Sequence, residues 1–176
     1  MAQALDKLTI KGFKSIQSLE DFELTELNIL IGGNGAGKSN FIDFFRMLRA
    51  MMGLPIPGLN HASLDAYIND SGSCDDFLFK GPKVTSQIEA KTFFGSTGYR
   101  FTLSPTADER FIKDEEIYYG SLGWSKLRNG YRTPEVAILK GGHRVPELLR
   151  LKTSRIKTVD EPVVSDVYNA ISSWKI

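Results

Sequence analysis

The feature that most constrains the fold of this chain is a glycine-rich octapeptide at residues 32–39, which reads GGNGAGKS. It matches the phosphate-binding pattern G-x-x-x-x-G-K-[ST] at every fixed position. Such a loop connects a buried strand to a helix, and the sequence offers both, an apolar run at 27–31 and a helical apolar pattern from Phe41 onward. The chain is therefore expected to be an α/β protein built around a phosphate-binding loop.

The residue types in this octapeptide suit the binding of a nucleotide. Glycines let the backbone turn inward so that several N–H groups point at one anion, and the N-terminus of the following helix adds partial positive charge. Lys38 is predicted to supply positive charge to the β- and γ-phosphates, and Ser39 to be a ligand of Mg²⁺. A glycine-rich turn without a ligand is the alternative.

The composition is that of a globular protein. Of the 176 residues 41% are hydrophobic and 24% charged, and the net charge of +1 does not by itself favour nucleic acid or a membrane surface as partner. The sequence has neither an apolar run of about 18 residues nor a targeting signal at its N-terminus, which predicts a cytoplasmic location. Because Cys74 is the only cysteine and there are only two histidines, neither an internal disulfide nor a zinc site is expected.

Alternating apolar and polar residues predict a small β unit before the loop and an antiparallel meander after it. The helix after the loop is expected to end at Gly53, and the polar stretch from there to about residue 80 is interpreted as a surface loop. Asn129 and Gly130 together are a strong hairpin signal. The predicted strands are 8–13, 22–24, 84–94, 99–103 and 111–119.

Two segments together resemble a known family. Residues 8–15, LTIKGFKS, followed by residues 27–40, LNILIGGNGAGKSN, resemble the opening of the RecF/SMC-type ATPases of the ABC superfamily. Those chains open with I-x-N/G-F-K/R-S and continue with L-N-x-h-x-G-x-N-G-S/A-G-K-S-N, where h is apolar. Within that group the chain is most similar to the RecF-like predicted ATPases of bacteria, the AAA15 or OLD-like branch, several of which serve in phage defence.

This resemblance implies an ABC-type ATPase head, which is a P-loop NTPase with a mixed parallel core sheet and an antiparallel β layer beside it. It implies that ATP is the nucleotide and that Lys14 lies near the phosphates or the ribose. The residues that it implies wrap the phosphates are Asn34, Gly35, Ala36, Gly37, Lys38, Ser39 and Asn40. In such heads ATP is sandwiched between two of them, so a second copy or a second ATPase head is the implied partner. The implied function is a nucleotide-gated dimerisation switch in DNA maintenance or phage defence.

The parts that such heads need for hydrolysis are only imitated in the last third of the chain. Residues 139–143, LKGGH, differ from the signature L-S-G-G-Q because Lys140 stands where the serine belongs. Residues 160–162, Asp-Glu-Pro, lack the apolar run that a central strand ending in Asp-Glu requires, and residues 114–116 fail in the same way. Gln87 lies within a strand pattern and is not assigned as the loop glutamine that senses Mg²⁺. No catalytic residue is therefore assigned.

The end of the chain predicts an amphipathic helix from Val163 to Trp174 that has no stop signal. We therefore expect the chain to be the N-terminal part of one head, apparently truncated, that binds ATP without efficient hydrolysis. Its expected parts are the β unit with the phosphate loop and its helix (1–52), a loop-rich insert (53–83), the meander (84–140) and a helical part (141–176).

Residues 140–157 form a local basic patch. Six basic residues accompany one acid, Glu147, which is typical either of a solvated helix face or of a contact with DNA phosphates. Two further functions are compatible with the sequence, a non-catalytic ATP-binding regulator of a nuclease or toxin partner and a P-loop kinase of small molecules. The residues that the DNA hypothesis uses are Arg144, Arg150, Lys152, Arg155 and Lys157.

Overall fold

A computed structural model of the protein describes residues 4–58, 63–108, 110–120, 123–126, 148, 152 and 161–174. The strands in these residues are β1 (Lys7–Phe13), β2 (Ile16–Glu23), β3 (Ile88–Phe94), β4 (Thr97–Pro105), β5 (Phe111–Tyr119) and β6 (Gly123–Lys126). The helices are α1 (Lys38–Met51), α2 (Leu64–Ser71) and α3 (Glu161–Ser172), with a 3₁₀ turn at Cys74–Phe77.

The strands lie in one sheet in the spatial order β2-β1-β3-β4-β5-β6. Among the described residues every neighbouring pair of strands is antiparallel. The antiparallel layer of the expected fold is therefore present. The parallel part of the expected mixed core sheet is not found in the residues that the structure describes.

The hairpin of β1 and β2 ends in a tight turn beside the phosphate loop. Phe13 pairs with Ile16 across this turn, and Lys14 takes a left-handed backbone conformation with φ of 48°. β2 begins at Ile16, well before the predicted start at residue 22, so the hairpin is longer than the sequence pattern indicated. Farther along, a bulge at Asp21 interrupts the register, and the Asp21 N–H donates to Thr9 Oγ1 at 3.0 Å.

The meander of β3, β4 and β5 confirms the period-two pattern from residue 88 onward, where buried side chains alternate with more exposed ones. The prediction that its first strand begins at residue 84 was wrong. Val84 is 63% exposed, and its N–H donates to the Gly81 carbonyl in a turn rather than to a neighbouring strand. The hairpin predicted at residues 129–130 lies outside the described residues.

Helices α1 and α3 pack on one face of the sheet and bury the core. Phe44 of α1 is fully buried, and its ring centre lies 6.4 Å from that of Phe101 on β4 and 5.7 Å from that of Phe13 on β1. α3 packs on β4, β5 and α1, which confirms the predicted amphipathic helix near the end of the chain. None of the helices described is long and apolar enough to cross a membrane.

Helix α2 lies in the stretch that was interpreted as a surface loop. Ser63 caps it by accepting a hydrogen bond from the Ala66 N–H at 3.2 Å, and Leu64, Tyr67 and Ile68 are buried against α1. The loop interpretation was therefore wrong for residues 64–71. The signal in the sequence was a serine N-cap followed by apolar residues three and four positions apart, within a segment too short and polar to stand out.

The apolar run at residues 27–31 does not form a strand in this structure. Leu27, Ile29 and Ile31 are 76%, 73% and 90% exposed. A strand needs a hydrogen-bonded neighbour, and no described residue pairs with this segment. The expectation of a buried strand before the phosphate loop is therefore not met in the described part of the chain.

A stability prediction follows from Gly12, because at this residue β1 passes close to the segment at 85–87 that precedes β3. Its φ is +71°, and a Cβ placed there would lie 2.6 Å from both the Gln87 carbonyl oxygen and Thr85 Cγ2. We expect Gly12→Ala to lower the free energy of unfolding by about 1–3 kcal/mol, measured by urea denaturation. Gly81→Ala is the control, since Gly81 has a φ of +77° but nothing within 4 Å of the added methyl. Equal losses in both variants would contradict the close approach at Gly12.

Candidate nucleotide-binding site

The phosphate loop, residues 32–39, joins the exposed run at 27–31 to helix α1. Gly35 and Gly37 have φ values of +83° and +87°, a region that residues with a Cβ rarely adopt. The loop is closed by a weak bond from the Ala36 N–H to the Gly33 carbonyl at 3.3 Å. The glycines are thus required by the backbone path, as the motif predicted.

The N-terminus of α1 opens directly onto this loop. Gly37 is the N-cap residue and no side chain caps the helix. The first helical hydrogen bond runs from the Phe41 N–H to the Gly37 carbonyl at 2.9 Å. The N–H groups of Lys38, Ser39 and Asn40 precede that bond, so they are available to an anion and carry the positive end of the helix dipole.

The Lys38 side chain folds back over the loop. Its ammonium donates to the Gly33 carbonyl at 2.8 Å and also to the Gly32 carbonyl. A positive charge is therefore held across the loop, at the first residue of α1. Ser39 at the first turn of α1 is exposed, so its hydroxyl is accessible to a metal ion that accompanies a nucleotide.

Lys14 lies beside α1 rather than over the loop. Its ammonium is 2.8 Å from the Asp43 carboxylate and 4.8 Å from the centre of the Phe77 ring. Both charged side chains are mostly buried, at 18% and 22% exposed, so the pair is screened less than a surface pair. Asp43 also pairs with Arg46 at 3.1 Å. In this arrangement Lys14 anchors the β1–β2 turn to α1, and its contact with a nucleotide stays a prediction.

A second polar contact joins the same turn to the loop. Asn40 Nδ2 donates to Ser15 Oγ at 2.7 Å. A Cβ placed on Gly37 would lie 2.8 Å from that same oxygen. Sequence reasoning did not single out Ser15 or Asp43, although Ser15 belongs to the Phe-Lys-Ser motif and Asp43 follows Ser39 by one helical turn.

A groove with a volume of ≈ 360 Å³ runs beside the phosphate loop. Ala36, Gly37 and Lys38 form one wall of it, and residues of β2 together with Ser15 form the opposite wall. Its floor is partly apolar, with Phe22 and Phe41 in edge-to-face contact at 6.0 Å. The groove is of the size that small-molecule sites have in proteins, and it is continuous with the loop.

Tyr67 of α2 supports α1 beneath the ion pair. Its hydroxyl donates to the Asp43 carbonyl at 3.3 Å, and its ring packs on Phe77 with 5.7 Å between ring centres. Burial raises the pKa of Tyr67 well above that of a free tyrosine, and the negative charge of Asp43 adds to this effect. The phenol therefore stays protonated and keeps donating at every pH that the protein meets.

The acidic segments at residues 114–116 and 160–162 were considered as the Asp-Glu end of a catalytic strand, and the structure places their described residues in β5 and α3. Residues 114–116 are inside β5, where Glu115 is buried and accepts hydrogen bonds from the Tyr99 hydroxyl at 2.9 Å and the Leu148 N–H at 3.0 Å. Glu116 pairs with Arg100. Glu161 begins helix α3 instead of ending a strand. The interpretation of both acidic segments as imitations stays a prediction.

Gln87 lies directly before β3 and its side-chain amide donates to Glu89 at 2.7 Å. The reason given for setting it aside, a position within a strand, was therefore wrong. Residues 139–143 lie outside the described residues, and so do all residues of the basic patch that were named for DNA except Lys152. The Lys152 ammonium donates to Ser165 Oγ of α3 at 3.1 Å.

The residues of the loop fit the phosphates of a nucleotide. Left-handed glycines, an uncapped helix N-terminus and a lysine ammonium converge on one place. Residues 27–162, more than half of the chain, match the model of a family described as "AAA domain, putative AbiEii toxin, Type IV TA system". No curated protein is similar enough to the chain to count as a relative.

Proposed function

The chain belongs to this AAA domain family, a family of P-loop ATPases, and on that premise we propose that it binds ATP with Mg²⁺ on the phosphate loop. The observation that carries the proposal is the uncapped N-terminus of α1, which faces the same space as the Lys38 ammonium. Lys38 would hold the charge of the phosphate chain, and the Ser39 hydroxyl would be one ligand of the Mg²⁺.

A comparison of ligands with fewer phosphates tests this assignment. If the phosphate chain makes the main contacts, Mg-ATP should bind, AMP should bind about tenfold more weakly or worse, and adenosine should not bind measurably. Isothermal titration calorimetry of the full chain measures all three affinities. Removal of Mg²⁺ with EDTA should weaken ATP binding. Adenosine binding as tightly as ATP, or no binding of any of the three, would overturn the proposal.

A finer proposal is that the protein works as an ATPase head of RecF/SMC type, in which ATP bound by one head draws in a second head. The Phe-Lys-Ser turn, the phosphate loop and the antiparallel layer in this order along the chain support it. A second copy of the chain or another ATPase head is the proposed partner. Sedimentation with and without ATP measures the association. A role in DNA maintenance or phage defence belongs to the same proposal.

A second candidate is a non-catalytic ATP-binding regulator of a nuclease or toxin partner. The description of the matching family names a putative toxin of a Type IV toxin–antitoxin system, so another protein of such a system is the partner that this candidate would bind. The two candidates differ in turnover, since the first needs hydrolysis in the assembled state and the second needs only binding. A phosphate-release assay on the ATP-dependent assembly separates them.

A further inference from the structure

The turn between β1 and β2 lies against the backbone of the phosphate loop. A Cβ built on Gly37 would come within 2.8 Å of Ser15 Oγ, so this hydroxyl occupies the space directly beside Gly37. The motif explains why a glycine is needed at that position for the backbone path. It does not explain why a serine hydroxyl from another element is placed there.

The Ser15 hydroxyl has a proton to donate. A hydroxyl donates once and accepts twice, and the Asn40 amide at 2.7 Å uses one of the accepting positions. Within the described part of the chain no acceptor takes the Ser15 proton. The nearby Ser18 on β2 differs, because its hydroxyl already donates to Glu20 at 2.9 Å.

The turn is held rigidly in this position. The Lys14 ammonium is bound to Asp43 of α1 at 2.8 Å, and the Lys14 N–H donates to the Phe77 carbonyl at 2.8 Å. Both contacts fix the residue next to Ser15, one through its side chain and one through its backbone. A donor that is held in place before a ligand arrives loses little entropy on binding.

Ser15, Gly37 and Lys38 line the same groove of ≈ 360 Å³. An anion lying on the loop therefore meets backbone N–H groups, the lysine charge and the serine proton. We propose that Ser15 is a further nucleotide-binding residue, which donates its proton to the phosphate chain. This inference rests on the proposed function and extends it, because the ligand class becomes a nucleoside polyphosphate held between the loop and the β1–β2 turn.

Ser15→Ala tests the inference, with Ser104→Ala on β4 as the matched control outside the groove. The affinities of the full chain for Mg-ATP and for inorganic triphosphate with Mg²⁺ are measured by calorimetry. If Ser15 contacts the phosphate chain, Ser15→Ala should weaken both ligands by the same factor, about tenfold. Ser104→Ala should bind both as the wild type does. Melting temperatures of the three proteins without ligand show that a loss of affinity does not come from a loss of structure.

Two results would overturn the inference. Unchanged affinity in Ser15→Ala would show that the proton makes no contact, and a loss confined to ATP would place the contact on the nucleoside. If the wild type itself binds neither Mg-ATP nor inorganic triphosphate, the proposed function is rejected along with the role of Ser15. If the wild type binds and Lys38→Ala does not, while Ser15→Ala binds normally, nucleotide binding stands and only the role of Ser15 is rejected.

Discussion

Replacing Lys38 by alanine is expected to reduce the affinity for ATP by about 100-fold or more, because it removes the charged donor that the phosphate chain would contact. The fold should be preserved, since among the described residues the ammonium is hydrogen-bonded to the loop carbonyls of Gly32 and Gly33 alone. Calorimetric titration with Mg-ATP measures the affinity, and urea denaturation measures the stability. Any ATP-dependent association detected by sedimentation should disappear in the same variant.

Lys11→Ala provides the control for this experiment. Lys11 lies on β1 and pairs with Glu20 at 2.9 Å, so its removal eliminates one positive charge away from the loop. Its ATP affinity should equal that of the wild type. If Lys38→Ala retains the affinity of the wild type as well, the phosphate loop is not the nucleotide site, whatever its sequence.

Truncation of Phe44 should have the largest effect on stability. Its side chain is fully buried between α1 and the sheet, with ring contacts to Phe13, Phe45 and Phe101. Phe44→Ala removes these contacts and leaves a cavity, which typically costs about 3–5 kcal/mol. Domains are stable by only about 5–15 kcal/mol, so the variant should unfold at a much lower urea concentration. A loss below about 1 kcal/mol would contradict the packing of α1 on the sheet.

Arg46→Ala serves as the comparison for Phe44. It lies on the same helix, and its side chain is 46% exposed and pairs with Asp43. An ion pair of this exposure contributes at most about 1 kcal/mol. The two main predictions are therefore complementary, because Lys38→Ala should change binding but not folding, and Phe44→Ala should change folding but not the affinity of the molecules that remain folded.

The phosphate loop could be predicted from the sequence because its chemistry is contained in a few adjacent residues. The glycines permit the tight backbone path, Lys38 carries the positive charge and Ser39 carries the hydroxyl, all within eight residues. The structure gives Gly35 and Gly37 the left-handed conformations that the motif demands. The strands of the meander were also predictable, since alternation of burial along β3 is a local pattern. The starting point of β3 was not, because the turn at residues 81–84 also contains an apolar side chain, Val84.

The contacts around the loop could not be predicted in the same way. Ser15 and Asn40, like Lys14 and Asp43, come from segments far apart in the chain, and only the packing of the β1–β2 turn on α1 brings them together. The burial of residues 27–31 was predicted from their apolar character alone. Apolar character gives the tendency to be buried, but burial itself requires a neighbouring strand that the described residues do not provide.

The exposed segment at residues 27–31 has a consequence for how the protein behaves at high concentration. Its sequence, LNILI, carries no charge and no proline, and its side chains favour extended structure. Short segments of this kind are able to stack with copies of themselves into aggregates when water is their only neighbour. Aggregation of concentrated samples is therefore expected to begin at this segment, next to the nucleotide site itself.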